Sequence, residues 1–237
     1  MTATEHSPGL TVQGFKAPLL LKDFKLIAFD MDSTLISIEC IDEIADAVGR
    51  KPEVAAITEA AMRGEITDFK DSLRRRLALL QGVTLADMER VYSERLKINP
   101  GAAELIAACQ KAGMKVLLVS GGFTFFADRV KARLNIDFAR SNQLEIINGE
   151  LTGGLVMQSW GDICDGAEKR RTLLEVASLL GIAPHECIAM GDGANDLPMM
   201  GAAGLSVAYH AKPAVRAQAM VAIQQGGLDR LLEVFRP

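Results

Sequence analysis

Three short apolar runs, each followed by a polar or glycine-rich turn and then by a helical pattern, constrain the fold of this chain most. They are Leu26–Phe29, Val116–Val119 and Cys187–Met190. Strands that are apolar along their whole length are typical of parallel sheets, because helices cover both faces of such a sheet. The alternation of strands and helices therefore predicts an α/β fold built on a doubly wound parallel sheet.

A long helical stretch separates the first two of these runs. Helical patterns near 53–62, 67–80 and 84–96 lie in a block of about 60 residues, which is far longer than a crossover between parallel strands requires. We therefore predict an inserted helical cap over residues 38–97, and a core formed by residues 25–37 and 98–237.

The first 24 residues precede the first apolar run. Glu5, Pro8 and Pro18 interrupt them, and no basic cluster stands before an apolar core. We expect no secretory signal peptide in this region. Residues 1–24 are predicted to form a loose N-terminal arm that leads into the first strand.

The composition narrows the range of functions. The net charge of −4 gives no basic footprint for nucleic acid, and no apolar run approaches the roughly 20 residues of a membrane span. The four cysteines are widely spaced, without a Cys-x-x-Cys pair, which is typical of a reduced protein that lacks a zinc site. We expect a cytoplasmic monomer or homodimer that acts on a small molecule and binds neither nucleic acid nor membrane.

Two aspartates follow the first apolar run. Residues two apart in an extended chain point to the same side, so Asp30 and Asp32 emerge together at the carboxyl end of the strand, where α/β sheets bind ligands. Two carboxylates this close repel each other unless a cation or a proton holds them. Alternatively, one aspartate caps a helix and the other is solvated.

A third aspartate ends another apolar run in the same way. If the two strands are neighbours, Asp192 converges on Asp30 and Asp32, and three carboxylates in one crevice need a divalent ion. The three histidines and four cysteines of the chain are scattered, so the ligands would be oxygen atoms, which favours magnesium. The alternative for Gly191–Asp196 is a glycine-rich turn with an aspartate cap.

Two further segments have features of an anion site. Ser120 and the following glycines end an apolar strand, and a hydroxyl with glycine amides that open a helix can cradle an anion. Lys169, Arg170 and Arg171 lie at the start of a helix, where the dipole disfavours cations unless an anion such as phosphate draws one there. The alternatives are an ordinary loop and a solvated basic face, and the latter suits Arg170 and Arg171 better than Lys169.

The order of these segments resembles a known family. Asp30–Thr34, Ser120–Gly122, Lys169 and Gly191–Asp196 follow one another as the four motifs of the haloacid dehalogenase (HAD) superfamily of phosphohydrolases do. The resemblance extends from about residue 25 to 237 and implies a HAD-like, Rossmannoid core with a small helical cap. Within the cap, Ile38–Ala45 and Ser72–Arg76 resemble the substrate-reading segments of members that hydrolyse O-phospho-L-serine.

The resemblance implies a covalent mechanism. Asp30 is the nucleophile that forms an aspartyl-phosphate, and Asp32 is the general acid and base that protonates the departing oxygen and then activates water. The implied cofactor is Mg²⁺, held by Asp30, Asp192 and the backbone carbonyl of Asp32, with Asp196 supporting the metal shell. The implied groups around the phosphate are Lys169, Ser120, the Gly121 amide and Asn195.

Helix periodicity in the cap singles out one arginine. Arg76 lies seven residues after Phe69 and therefore on nearly the same line of the helix as that apolar stripe, whereas Arg74 and Arg75 point elsewhere. The family pattern implies that Arg76 binds the substrate carboxylate and that Glu39 binds its ammonium group. The alternatives are an Arg76 stem packed on the cap with its head in water, and a Glu39 that is only a first-turn helix acid.

These patterns predict a magnesium-dependent phosphomonoester hydrolase, and the resemblance implies that it acts on O-phospho-L-serine, in the last step of serine biosynthesis. One alternative keeps the same core but acts on another small phosphate, or transfers the phosphoryl group to a second alcohol such as homoserine. Another is a catalytically silent phosphate-binding module. Against a silent module stands the presence of both Asp30 and Asp32.

Overall fold

The computed structural model of the protein describes residues 3–63 and 65–236. Its strands are β1 (Thr4–Ser7), β2 (Leu10–Val12), β3 (Leu19–Leu20), β4 (Leu26–Phe29), β5 (Lys115–Phe123), β6 (Phe138–Ile147), β7 (Glu150–Val156), β8 (Cys187–Gly191), β9 (Leu205–Tyr209), β10 (Val221–Ile223) and β11 (Phe235–Arg236). Its α-helices are α1 (Cys40–Ala47), α2 (Lys51–Met62), α3 (Phe69–Ala78), α4 (Leu85–Arg90), α5 (Ala102–Lys111), α6 (Thr124–Leu134), α7 (Gly166–Leu179), α8 (Leu197–Met200) and α9 (Pro213–Arg216). No helix within these ranges is both long and apolar enough to cross a membrane.

One large sheet organises the molecule, in the order β1-β2-β10-β9-β8-β4-β5-β6-β7. The strands from β10 to β6 run parallel, and the chain moves outward from β4 in both directions. The strands at the two ends, β2 with β1 and β7, pair antiparallel. The predicted doubly wound parallel sheet is confirmed.

The central strand β4 explains why the sheet is covered on both faces. Its four residues are completely buried, and alternate side chains enter different cores. Ile27 and Phe29 pack in a cluster that contains residues of α5 and α6, whereas Leu26 and Ala28 pack in a second cluster with residues of α7 and α8. A strand with two apolar faces has no solvated side, which is why its sequence is apolar throughout.

The N-terminal segment belongs to the fold, so the loose arm predicted for residues 1–24 is wrong for its described part. β1 and β2 form a hairpin, and β2 pairs with β10, with Val12 opposite Val221. The side chain of Leu10 is completely buried. The interruptions at Glu5 and Pro8 hid this hairpin, because its partner strand lies near the other end of the chain.

The strand β5 is longer than predicted. A helix was expected to open at Gly121, but the strand continues to Phe123 and α6 begins at Thr124. Phe123 pairs with Asn142 of β6 and is almost completely buried. Tertiary pairing thus outweighs the local tendency of two glycines to end a strand.

The segment from α1 to α4 is joined to the sheet by two connections that lie side by side. Ile36 pairs with Ile98 in an antiparallel bridge. The backbone N–H of Ser37 donates to the carbonyl oxygen of Lys97 at 3.0 Å, and Nδ2 of Asn99 donates to that of Ile36 at 3.1 Å. Because one connection leaves β4 at its carboxyl end, the helical segment lies over that edge of the sheet.

Local signals set several helix ends. A capping box is present at the start of α4, where Thr84 and Asp87 bind each other's backbone N–H groups. α3 begins later than expected because the Asp68 side chain accepts from the backbone N–H of Lys70 at 2.9 Å. Near the C-terminus, Leu228–Val234 forms a 3₁₀ helix.

Candidate active site

Two of the carboxylates that were predicted to converge lie at the ends of neighbouring strands. β4 and β8 pair in parallel with Phe29 opposite Met190, so Asp30 and Asp192 leave the sheet at the same edge. The backbone N–H of Asp30 donates to the carbonyl oxygen of Met190 at 2.9 Å, which extends the ladder by one residue. Carboxylate oxygens of Asp30, Asp192 and Asp196 all lie within 4.8 Å of one another.

A buried lysine faces this carboxylate cluster. Lys169 lies in the first turn of α7 with 0% of its surface exposed, and its Nζ is 2.6 Å from Oδ1 of Asp30 and 2.7 Å from Oδ1 of Asp196. Burial alone would lower the pKa of Lys169, but the carboxylates of Asp196 and Asp30 outweigh it and raise the pKa, so the side chain stays protonated. Burial and neighbouring carboxylates raise the pKa of Asp30, and they raise the pKa of Asp192 to about 7.

Asp196 braces the turn that carries Asp192. Its Oδ2 accepts from the backbone N–H groups of Asp192 at 3.1 Å and of Gly193 at 3.0 Å, while its Oδ1 binds Lys169. A Cβ atom at Gly191 would lie 2.4 Å from this Oδ2, so the approach requires a glycine. Both oxygens of Asp196 are therefore already engaged by the protein.

Asp32 lies against the start of α1. Its Oδ2 accepts from the backbone N–H of Cys40 at 3.2 Å, and its Oδ1 accepts from the Cys40 thiol at 3.2 Å. Burial and the neighbouring Glu39 raise the pKa of Asp32 to about 7, and the hydrogen bonds from Cys40 oppose the rise. A carboxyl group with a pKa near neutrality can both donate and accept a proton during turnover.

The segment Ser120–Gly122 lies beside Asp32. The Ser120 side chain is completely buried, and its Oγ accepts from the backbone N–H of Gly122 at 2.8 Å. A Cβ atom at Gly122 would lie 3.3 Å from Oδ2 of Asp32, and one at Gly121 would lie 3.3 Å from the ring of Phe69. The two glycines therefore allow the sheet and the helical segment from α1 to α4 to approach closely at this point.

A cavity of about 930 Å³ lies between the sheet edge and the helical segment from α1 to α4. Its walls include the sheet-edge residues Asp30, Asp32, Ser120, Gly121, Asp192 and Asn195, and the residues Glu39, Asp42, Phe69 and Arg76 from the helical segment. The structure thus brings all but two of the predicted site residues to one cavity wall or the other. The exceptions are Lys169 and Asp196, which are completely buried behind the Asp30 carboxylate and bind each other.

The three consecutive arginines of α3 have different surroundings. Arg74 pairs with Asp162 at 2.6 Å and Arg75 with Asp71 at 2.8 Å, and both arginine side chains are more than half exposed. Arg76 is half-buried and lines the cavity. Among the described residues, no carboxylate lies within 4.0 Å of its guanidinium group.

Glu39 supplies a negative charge to the same cavity. Its Oε1 accepts from the hydroxyl of Ser33 at 2.6 Å. Burial raises the pKa of Glu39, and Asp42 raises it further, while Ser33 and Arg76 oppose the rise. An acid and a guanidinium without a carboxylate partner among the described residues suit a ligand that carries both an ammonium and a carboxylate group.

The remaining basic residues of α7 point away from the carboxylate cluster. Arg170 and Arg171 are exposed, and Arg171 binds Glu168 and the carbonyl oxygen of Trp160. Lys169 is therefore the member of this basic triplet that reaches the site.

Two contacts of the site had not been predicted. Cys40 binds Asp32 across 8 positions in the chain, and Asn142 binds the carbonyl oxygen of Gly121 across 21 positions. The position of Cys40 directly after Glu39 is a sequence signal that could have drawn attention to it. Asn142 lies in an otherwise ordinary strand, and no local pattern marks it.

Known proteins resemble this chain in sequence and in structure. The sequence matches the haloacid dehalogenase-like hydrolase family over residues 27–201. A phosphoserine phosphatase from Albidiferax ferrireducens is 71% identical over 237 residues, covering 100% of both chains. Two solved structures each have a TM-score of 0.82 and cover 90% of this chain and 99% of theirs: a phospho-aspartyl intermediate analogue of phosphoserine phosphatase at 37% identity, and a substrate-bound phosphoserine phosphatase complex at 36% identity.

Proposed function

The chain belongs to the haloacid dehalogenase-like hydrolase family, and we propose that it is a phosphoserine phosphatase, which converts O-phospho-L-serine and water to L-serine and phosphate. The observation that carries the proposal is that Asp30 and Arg76 line one cavity. Asp30 is a candidate nucleophile on the sheet side of that cavity. Arg76 offers an unpaired cation to a substrate carboxylate on the cap side.

In the first step, the Asp30 carboxylate attacks phosphorus as the bond from phosphorus to the serine oxygen breaks. Lys169 holds this carboxylate in one orientation through the contact at 2.6 Å. Asp32 donates its proton to the departing serine oxygen, which leaves as a neutral hydroxyl. The product on the enzyme is an aspartyl-phosphate.

In the second step, water attacks the phosphorus of this intermediate. Asp32, now a carboxylate, removes a proton from the water, and the bond from phosphorus to Asp30 breaks to release phosphate. The pKa of about 7 supports both roles, because neither protonation state of Asp32 is costly near neutrality. Lys169, the Ser120 hydroxyl and the Gly121 amide are assigned to the phosphate oxygens, and Asn195 to the orientation of phosphate or water.

The donor set beside Asp30 fits a magnesium ion. Three carboxylates face one ammonium group, and the excess negative charge calls for a divalent cation bound by oxygen. We assign Mg²⁺ to Asp30, Asp192 and the backbone carbonyl of Asp32; Asp196 supports this shell, because its own oxygens are engaged by Lys169 and backbone N–H groups. When bound, Mg²⁺ would reduce the repulsion between the Asp30 carboxylate and the phosphate.

The segment 38–97 is proposed as the cap domain that selects the substrate. It contributes Glu39 for the ammonium group and Arg76 for the carboxylate, and both belong to helices or helix ends that face the cavity. The core is assigned to 25–37 and 98–237. A cytoplasmic location and a monomeric or homodimeric state stay predictions.

Phosphate release from a panel of phosphomonoesters tests the proposed function. With magnesium, the purified protein should hydrolyse O-phospho-L-serine, releasing serine and phosphate in equal amounts, and should prefer it over glycerol phosphate and p-nitrophenyl phosphate. Asp30→Asn provides a folded control that should release none. Failure of the wild-type protein to hydrolyse phosphoserine would reject the proposal, whichever other ester it accepts.

A further inference from the structure

The phosphate-facing turn of β5 is not held by the regular sheet ladder. β5 and β6 pair at Val119 with Arg140 and again at Phe123 with Asn142. Three residues of β5, Ser120–Gly122, therefore face a single residue of β6. These residues bulge from the sheet, and their backbone conformation needs another source of support.

The side chain of Asn142 supplies that support. It is completely buried, its Nδ2 donates to the carbonyl oxygen of Gly121 at 2.7 Å, and its Oδ1 accepts from the backbone N–H of Cys164 at 2.8 Å. One contact requires a donor and the other an acceptor, so the amide has a single satisfactory orientation. An apolar side chain here would leave two buried backbone groups without these partners.

The hydrogen bond from Asn142 to Gly121 also fixes the orientation of the Gly121–Gly122 peptide, whose N–H contacts Ser120. In a trans peptide the N–H points opposite to the C=O, so holding the Gly121 carbonyl towards Asn142 directs the N–H of Gly122 the other way. That N–H donates to Oγ of Ser120 at 2.8 Å. Because Oγ accepts there, its own proton is directed to another acceptor, and Ser120 lines the cavity.

The contact to Cys164 connects the same amide to the helix that carries Lys169. Cys164 lies two residues before Gly166, where α7 begins, and the Asp165 side chain caps that helix by accepting from the N–H of Glu168 at 2.9 Å. Asn142 thus fixes the Ser120 turn relative to the start of α7. Both segments present a group assigned to the phosphate.

We propose that Asn142 is a positioning residue of the phosphate site, which orients the Ser120 hydroxyl through the Gly121–Gly122 peptide and sets its place relative to Lys169. Asn142 itself does not touch the substrate. The inference rests on the proposed function in that the bound anion is a phosphate group. Asn142 is thereby added to the site as a residue that acts by orienting Ser120.

A double-mutant cycle distinguishes this role from ordinary structural support. Asn142→Asp keeps the volume and the acceptor for Cys164 but removes the donor to Gly121, and Asn142→Ala removes both without adding charge. Each is combined with Ser120→Ala, and the matched control is Gln143→Glu, the same chemical change at the adjacent, exposed position. For every variant, kcat/KM for phosphoserine, the Kd of inorganic phosphate with magnesium by calorimetry, and the melting temperature are measured.

Ser120→Ala should lower kcat/KM by about 10²-fold, as loss of one positioned donor to a developing anion does, and the Asn142 variants should lower it by roughly 10-fold. When Ser120 is already alanine, the Asn142 substitutions should change kcat/KM by no more than about twofold, because the hydroxyl through which they act is absent. Phosphate Kd should follow the same non-additive pattern, and Gln143→Glu should match the wild type.

An equal loss from the Asn142 changes in both backgrounds would overturn the inference, as would wild-type phosphate Kd in Asn142→Asp. Failure of both Asn142 variants to fold would make Asn142 a structural residue and also overturn it. Failure of the proposed function is a separate result: the wild-type protein would then release no phosphate from phosphoserine, and the cycle would be judged on the Kd of inorganic phosphate alone.

Discussion

Nζ of Lys169 lies 2.6 Å from Oδ1 of Asp30, although 139 positions separate the two residues in the chain. Both side chains are buried, so the pair is shielded from the water that weakens exposed ion pairs. The ion pair thereby holds the end of β4, which presents Asp30, against the start of α7, which presents Lys169. The proposed nucleophile is oriented before any substrate arrives.

Replacing the nucleophile should abolish turnover without unfolding the protein. Asp30→Asn is nearly isosteric, but an amide is a poor nucleophile, so phosphate release should fall to background. The melting temperature provides the control for folding. Wild-type turnover in this variant would exclude an aspartyl-phosphate at Asp30.

Removing the buried ammonium group should destabilise the protein. Lys169→Met leaves the carboxylates of Asp30 and Asp196 facing each other without a cation, which should lower the free energy of unfolding by about 3–5 kcal/mol, measured by urea denaturation in chelator. Lys115→Met is the matched control, because Lys115 pairs with Asp137 at 2.6 Å but is 50% exposed. Lys115→Met should lower the free energy of unfolding by about 1 kcal/mol or less. Equal losses in the two variants would contradict the role assigned to burial.

Chelation should remove activity, and magnesium should restore it. The proposed ligands are oxygen atoms of Asp30, Asp32 and Asp192, which suit Mg²⁺, whereas the larger and looser coordination of Ca²⁺ should restore activity poorly. The measurement is phosphate release after dialysis against chelator and titration with each ion. Full activity in the metal-free protein would rule out the proposed metal site.

Truncating Arg76 should weaken recognition of phosphoserine far more than recognition of an aryl phosphate. The substrate carboxylate would lose its cation, which should raise the barrier for kcat/KM by roughly 2–5 kcal/mol, while p-nitrophenyl phosphate has no carboxylate to lose. Arg74→Ala and Arg75→Ala are the controls, since those exposed arginines pair with Asp162 and Asp71. If the ratio of kcat/KM for the two substrates is the same in Arg76→Ala as in the wild type, Arg76 does not select phosphoserine.

The N-terminal hairpin should contribute to stability and not to chemistry. Leu10→Ala creates a cavity at a completely buried position and should cost roughly 2–5 kcal/mol of unfolding free energy, with unchanged kcat. Leu20→Ala, at a position 38% exposed, should cost much less. Equal and small effects at the two positions would show that the hairpin is dispensable for the fold.

Patterns formed by residues that are close in the sequence were sufficient to predict the core of the fold. The apolar run Leu26–Phe29 predicted a strand buried on both faces, and parallel pairing with β8 follows from the strand–helix alternation. The capping box at the start of α4 is likewise local, because Thr84 and Asp87 are three positions apart. The direction of Arg76 followed from helix periodicity, because residues seven apart lie on one line of a helix.

The amino-acid sequence by itself therefore determined the parallel part of the sheet, the order of the motifs and the side chains that are proposed to perform the chemistry. Only the tertiary structure decided that Leu10 belongs to a strand, that β5 continues to Phe123, and that Asn142 holds the turn at Gly121. The physical reason is common to these three positions. The periodicity of the sequence predicts only which face of its own helix or strand a residue occupies. In contrast, β2, the end of β5 and the Asn142 amide are each stabilised by a partner strand or segment that is distant in the sequence.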